Sequence, residues 1–109
     1  MATNYKVLAQ LNPSATTAAD LYTVPSATES VISSLLVANI GTASATYRVS
    51  VRPDGAAQED KHYIAYDVPL DANDTLTMTL GITLDATDVL TVYASTADLS
   101  FNVFGAEIS

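Results

Sequence analysis

The sequence predicts an antiparallel β-sandwich of jelly-roll or Greek-key type, built from about eight short strands. Three observations predict it. Apolar and polar residues alternate with a period of two almost everywhere. Turn signals recur at short intervals, and no window sustains a capped i, i+3, i+4, i+7 helical pattern. Regularly spaced short strands of this kind build sandwiches.

Taken in order, strands are expected near residues 4–11, 20–24, 30–39, 45–52, 61–68, 74–80, 89–95 and 98–104. In "TYRVSVRP", Tyr47, Val49 and Val51 fall on one face and Thr46, Arg48, Ser50 and Arg52 on the other. In "DTLTMTLGITL", Leu76, Met78 and Leu80 oppose Thr75, Thr77 and Thr79, with Gly81–Leu84 a short extension. In "LSFNVF", Leu99, Phe101 and Val103 oppose Ser100, Asn102 and Phe104. The breaks between strands carry their own chemistry. In Pro53-Asp54-Gly55 the proline presets φ and the glycine accepts a positive φ. Residues 13–30, rich in small polar side chains, read as a long surface loop or an arm, and 54–62 as a loop or one helical turn.

At 109 residues the chain reads as one domain, 1–109, long enough to bury a core. There is no cysteine, which excludes disulfides, thiolate metal sites and thiol chemistry. No secretory signal or membrane-length apolar run is present, so synthesis in a cytoplasm and no membrane association are expected. The net charge is −8, with only Lys6, Arg48, Arg52 and Lys61 basic, which argues against nucleic acid and anionic membranes. Ser, Thr and Ala make up 41 residues, a composition that suits close packing against itself or a neighbour.

One phrase occurs twice. "LDANDTLTMT" from Leu70 and "LDATDVLTVY" from Leu84 share six of ten positions at an offset of fourteen. A calcium loop needs acidic ligands at alternating positions, a glycine at the sixth and a glutamate at the twelfth, and neither phrase has them. Two copies of a fourteen-residue period are too few and too short for a solenoid. The phrases read instead as Asx turns that launch strands, with their aspartates serving stability. Asn73-Asp74-Thr75 matches a glycosylation acceptor by chance.

Catalytic chemistry finds no constellation. His62 is the sole histidine, without a metal-sharing partner, and reads as a polar residue at a strand start. No phosphate-cradling glycine pattern occurs. The expectation is no enzyme, no cofactor and no metal. What remains is a binding surface. Arg48 and Arg52 share one strand face, and Tyr93 lies on the polar Thr91/Ser95 face. Tyr63 and Tyr66, three residues apart, are expected on opposite faces. Arginine and tyrosine are enriched at interface hot spots, so these five are the candidate interface residues, against a plainer reading as surface ion pairs and rim tyrosines.

The strings "LYTVP", "VISSLLVANIGTASATYRVSVRPDG" and "HYIAYDVPLDANDTLTMTLGITLDATDVLTVYASTADLSFNVFGAEIS" carry a resemblance. From about Leu21 onward the chain resembles small structural proteins of tailed-phage virions. The resemblance implies a capsid decoration (cement) protein or a module of a tail fibre or baseplate. A short free-standing acidic sandwich with its own Met and no coiled-coil segment favours decoration. The resemblance then implies a site on the capsid surface, the major capsid protein as partner, and homo-oligomers, commonly trimers. Residues 1–19 are a candidate docking arm whose strand could augment a sheet edge. The competing expectation is a receptor- or glycan-binding module with tyrosines stacking on sugars.

Overall fold

The computed structural model describes residues 2–109, except the side chain of Leu80. Met1, the first residue of the expected arm, lies outside the described residues, as does the facing of Leu80. Eight strands follow one another: β1 (Thr3–Leu11), β2 (Ala19–Thr23), β3 (Glu29–Asn39), β4 (Ala45–Arg52), β5 (Tyr63–Leu70), β6 (Thr75–Leu84), β7 (Val89–Ala94) and β8 (Leu99–Ile108). Single 3-10 turns at Pro53–Gly55 and Asp60–His62 resolve the alternative left open for residues 54–62.

The strands form two four-stranded antiparallel sheets, ordered β1-β8-β3-β6 and β2-β7-β4-β5. The pairing is nested: β1 with β8, β2 with β7, β3 with β6 and β4 with β5. Further pairings, β3 with β8 and β4 with β7, close each sheet. A long antiparallel ribbon rolled up in this way is the jelly roll.

Alternation fills the core as expected. Tyr47, Val49, Leu99, Phe101 and Val103 are all buried between the sheets, joined by Ile32, Leu35, Val37, Leu90 and Val92. Tyr47 meets Phe101 edge to face, with ring centroids 6.5 Å apart. Adjacent Leu21 and Tyr22 are both buried, which a regular strand forbids; an extra residue in β2 relative to β7 turns both inward. Gly105 sits where β8 runs against an irregularity in β3, and a Cβ there would collide with the Val31 carbonyl oxygen.

A polar clamp joins the sheets at one end. The buried Tyr22 hydroxyl donates to Glu107 Oε2 (2.5 Å) and accepts from Ser30 (2.7 Å), while Lys6 Nζ donates to Glu107 Oε1 (2.9 Å). Burial, then the bond to Glu107, pushes the Tyr22 phenol up to about 12. The Tyr22 and Lys6 donors hold the Glu107 carboxyl below its ordinary value.

The two repeated phrases form the same turn. In each, the amide of the fourth residue donates to the carbonyl of the first: Asp74 to Asp71 (3.2 Å) and Asp88 to Asp85 (3.1 Å). In each, the third residue has positive φ, 61° at Asn73 and 67° at Thr87. In each, the turn also bridges a distant backbone. The Asn73 amide donates to the Asn39 carbonyl and the Asn39 amide to Asp74; the Thr87 amide donates to Val24 and the Val24 amide to Asp88.

Candidate functional site

The five nominated side chains lie on the outer face of the β2-β7-β4-β5 sheet. Strand β4 presents Arg48, Ser50 and Arg52 there by alternation. Tyr93 on β7 is directly opposite Arg48, and Thr91 opposite Ser50. On the other flank, β5 supplies Tyr63 and Tyr66.

Tyr63 and Tyr66 do not face opposite ways. Their rings meet edge to face with centroids 4.8 Å apart. The reason lies in the register: Ser50 pairs with Tyr63 but Val49 pairs with Ala65, so β5 carries an extra residue between the two tyrosines. A bulge restores to one face two residues whose spacing in a regular strand would separate them. A second irregularity follows between Ala65 and Val68, where Asp67 has φ 49°. Aspartate tolerates that conformation better than most residues.

Four of the five residues therefore form one row, Tyr93–Arg48–Tyr66–Tyr63, across three strands. The Arg48 guanidinium carbon lies 4.3 Å from the Tyr93 ring centroid and 4.4 Å from that of Tyr66. Its edge is held by Asp67: Nε donates to Oδ1 at 2.7 Å and Nη2 to Oδ2 at 3.4 Å. That bond, more than any other influence, raises the Arg48 pKa above its ordinary value. Each cation–π contact at a partly exposed site contributes roughly 0.5–1 kcal/mol. The consequence for binding is rigidity, because side chains already fixed lose little rotamer freedom on contact.

Arg52 is different. Its Nη2 donates to Asp20 (2.8 Å), its Nε to the Thr91 hydroxyl (3.0 Å), and its Nη1 to the carbonyls of Gly55 (3.3 Å) and Ala56 (2.8 Å). It ties β2, β7 and the turn after β4 together, with 17% of its side chain exposed. This is an internal clamp rather than a presented group. Asp67, Asp20, Thr91 and Gln58, which accepts from Ser50 (2.7 Å), complete the face. Sequence reasoning placed Thr91 on the Tyr93 face and missed the other three. For Asp67 the only local signal is its place directly after Tyr66 in a strand that needs a bend.

The cleft beside the stack, lined by Arg48, Ser50, Tyr63 and Tyr93, is about 40 Å³. Small-molecule sites need roughly 300–1,000 Å³, so the Arg48 face suits a macromolecular surface. A larger, open recess of about 360 Å³ lies beyond the row, among Asp60, Tyr63 and Tyr66. His62 is buried and structural: its Nδ1 accepts from the Glu59 amide (3.0 Å) at the start of β5. Among the described residues no group of three or more His, Asp or Glu side chains is placed to hold a metal.

Residues 3–11 of the expected arm form β1, the edge strand of the other sheet, paired to β8. The Asn12 side chain anchors the following loop to the carbonyls of Ala97 (2.9 Å) and Leu99 (2.6 Å).

No protein-family model matches the chain, and no curated protein matches it. Solved structures do share its fold. A chain in the structure of the infectious bursal disease virus Gx strain superposes with TM-score 0.56 at 15% identity. The match spans 97% of this chain but 32% of that one, so this chain covers about a third of that protein's length. A chain in the acidic stable capsid structure of Helicobacter pylori bacteriophage KHP30 superposes with TM-score 0.52 at 15% identity, covering 99% of this chain and 98% of that one. At such identities the likeness is one of fold, and the jelly-roll expectation holds.

Proposed function

We propose that this chain is a non-enzymatic structural protein of a phage virion, and within it a decoration (cement) protein that binds and stabilises the assembled head. The observation that carries this reading is the match of this jelly roll, over 99% of its own length and 98% of the other's, to a chain in a phage capsid structure. The pre-organised Arg48–tyrosine row supports it, since it is a rigid face of the residue types that anchor protein interfaces. The partner is the major capsid protein. A protein that binds the assembled shell and not free subunits stabilises the shell by mass action. Many copies, or a trimer seated at a three-fold position, make modest contacts collectively firm. The open edge of β1, within residues 1–19, offers a second point of attachment by strand addition.

The test is reconstitution on heads that lack the protein. Purified protein is expected to bind expanded heads and to raise their resistance to heat or salt. Failure of both overturns the reading. Tyr66→Ala and Tyr93→Ala, which remove the two faces of the Arg48 stack, are expected to weaken binding while the isolated protein keeps its fold. Arg52→Ala is the wrong probe, because it dismantles an internal clamp.

One observation favours a second reading, a receptor- or glycan-binding module of a tail fibre or baseplate. Tyr66 is 56% exposed beside an open recess that also contains Asp60, a pairing of ring and acid suited to a sugar. Immunogold labelling of intact virions separates the two, since label confined to the tail favours the second.

A further inference from the structure

We propose that β1 is a self-association edge: two copies pair β1 to β1 in antiparallel fashion about a two-fold axis at Tyr5, fusing their β1-β8-β3-β6 sheets into one.

The argument begins with hydrogen-bond parity. Ala2 and Ser109 exchange both backbone bonds, amide to carbonyl in each direction (2.5 and 2.9 Å). In an antiparallel pair, residues so bonded alternate with residues whose amide and carbonyl point away from the partner. The register then runs without interruption through Asn4↔Glu107, Tyr5↔Ala106, Lys6↔Gly105 and Val7↔Phe104. Asn4 and Lys6 therefore bond to β8, and Thr3, Tyr5 and Val7 direct their amides and carbonyls to the open edge. These three positions are self-complementary. With Tyr5 opposite Tyr5 of a second copy, Thr3 of each lies opposite Val7 of the other, and every outward amide meets an outward carbonyl. The extra residue at Leu8 breaks the parity and ends the ladder.

Among the described residues, nothing covers this edge. All of Thr3–Val7 are exposed on both faces, Tyr5 at 86% and Val7 at 47%. Unprotected edges are normally blocked by charge, proline or bulges; β1 has only Lys6, drawn to Glu107, and a bulge at Leu8 beyond the ladder, whereas the other three carry or adjoin acids and have breaks in register. Strand β2 is five residues long with a bulge and carries Asp20. Strand β5 has two irregularities, Asp67 and Pro69. Strand β6 has a register break and adjoins Asp74 and Asp85 at its ends.

Charge selects the occupant. All twelve acids of the chain lie at Asp20 or later, and Lys6 is the only charge in the first nineteen residues. The one acidic side chain on the paired strand β8, Glu107, is already bonded to Lys6 and Tyr22. In a chain of net charge −8, β1 is the edge where a second, equally acidic copy meets no carboxylate. The contact would also join the apolar grooves beside β1, each about 590 Å³ and lined by Tyr5, Val31, Phe104 and Ala106, into one band across the axis.

The inference does not rest on the capsid reading or on its Arg48 face, but it gives the β1 edge to a second copy instead of to the capsid, and pairs copies where that reading allows a trimer. It is tested on the full chain by sedimentation equilibrium and amide hydrogen exchange over a concentration series. The expected result is a mass rising to twice the chain's 11.4 kDa, with exchange slowing at Thr3, Tyr5 and Val7 but unchanged at Asn4 and Lys6. A mass that stays at one copy, an odd number of copies, or a dimer whose Thr3, Tyr5 and Val7 amides still exchange freely, each overturns it. Tyr5→Pro removes the central donor, and Tyr5→Glu places two carboxylates on the axis. Both are expected to return the protein to monomer with unchanged circular dichroism, and a dimer that persists in folded Tyr5→Glu overturns the proposal. A monomer that still binds heads would sink this inference alone.

Discussion

The turns at 71–74 and 85–88 are nearly the same words in the sequence and the same backbone in the structure, yet different side chains secure them. At the first turn the polar anchor is on the strand it bridges. Asn39, 2% exposed, donates to the carbonyls of Ala43 (2.9 Å) and Leu70 (3.1 Å) and accepts from the Gly41 amide (2.9 Å). Asp74 itself caps only the neighbouring amide of Thr75 (2.8 Å). At the second turn the bridged residue is Val24, an apolar side chain in the core, and the anchor moves into the turn. There Asp88 accepts from the amides of Asp54 and Asp85, both at 2.8 Å. A repeated sequence phrase thus specifies a backbone bridge, and each neighbourhood decides which residue must hold it.

That contrast can be broken in order of effect. Asn39→Ala leaves two carbonyls and an amide in or near the core without their partner, and about 3 kcal/mol of stability should be lost in chemical denaturation. Val24→Ala, at the matching position of the second turn, removes only packing, and a loss of about 2 kcal/mol is expected. If the two losses came out reversed, the assignment of the anchor to Asn39 would be wrong. Asp88→Ala should cost about 1 kcal/mol, since both its bonds are at the surface, and should speed exchange at the Asp54 and Asp85 amides. Asp74→Ala, with one local bond to lose, should cost no more than about 0.5 kcal/mol. Equal losses at the two aspartates would mean that the phrase, not its surroundings, sets their value.

Much of the fold was legible because strands half-buried in a sandwich must alternate, and Tyr47, Val49, Leu99, Phe101 and Val103 do so without exception. The ends were less so. Gly105 looks like a stop, but β8 runs through it because a glycine admits the close approach of β3, and the short extension expected from Gly81 to Leu84 continues β6 past a break in register. The candidate site was legible in its residue types and not in its geometry. Arg48 and Tyr93 follow from alternation on adjacent strands. The union of Tyr63 with Tyr66 depends on a bulge that only the pairing with β4 reveals. Arg52 looked equivalent to Arg48 because nothing local shows that Asp20, Thr91 and two turn carbonyls converge on it. The Tyr22–Glu107 clamp joins residues too far apart in sequence for any window to connect.

The nesting of the strands has a consequence for how the molecule comes into being. Strands β4 and β5 can pair as soon as both exist, but Thr3 cannot meet Ile108 until about a hundred more residues have been made. Emerging from a ribosome, the first strand is thus the last to find its place, and non-local pairing of this kind is slow. Throughout that wait Tyr5 and Val7 stand on a strand with two open edges instead of one. The residues nominated here for holding two finished copies together are those that unfinished copies would expose longest. The absence of any carboxylate to repel a neighbour there would make crowded synthesis the step at which this chain is most prone to mispair.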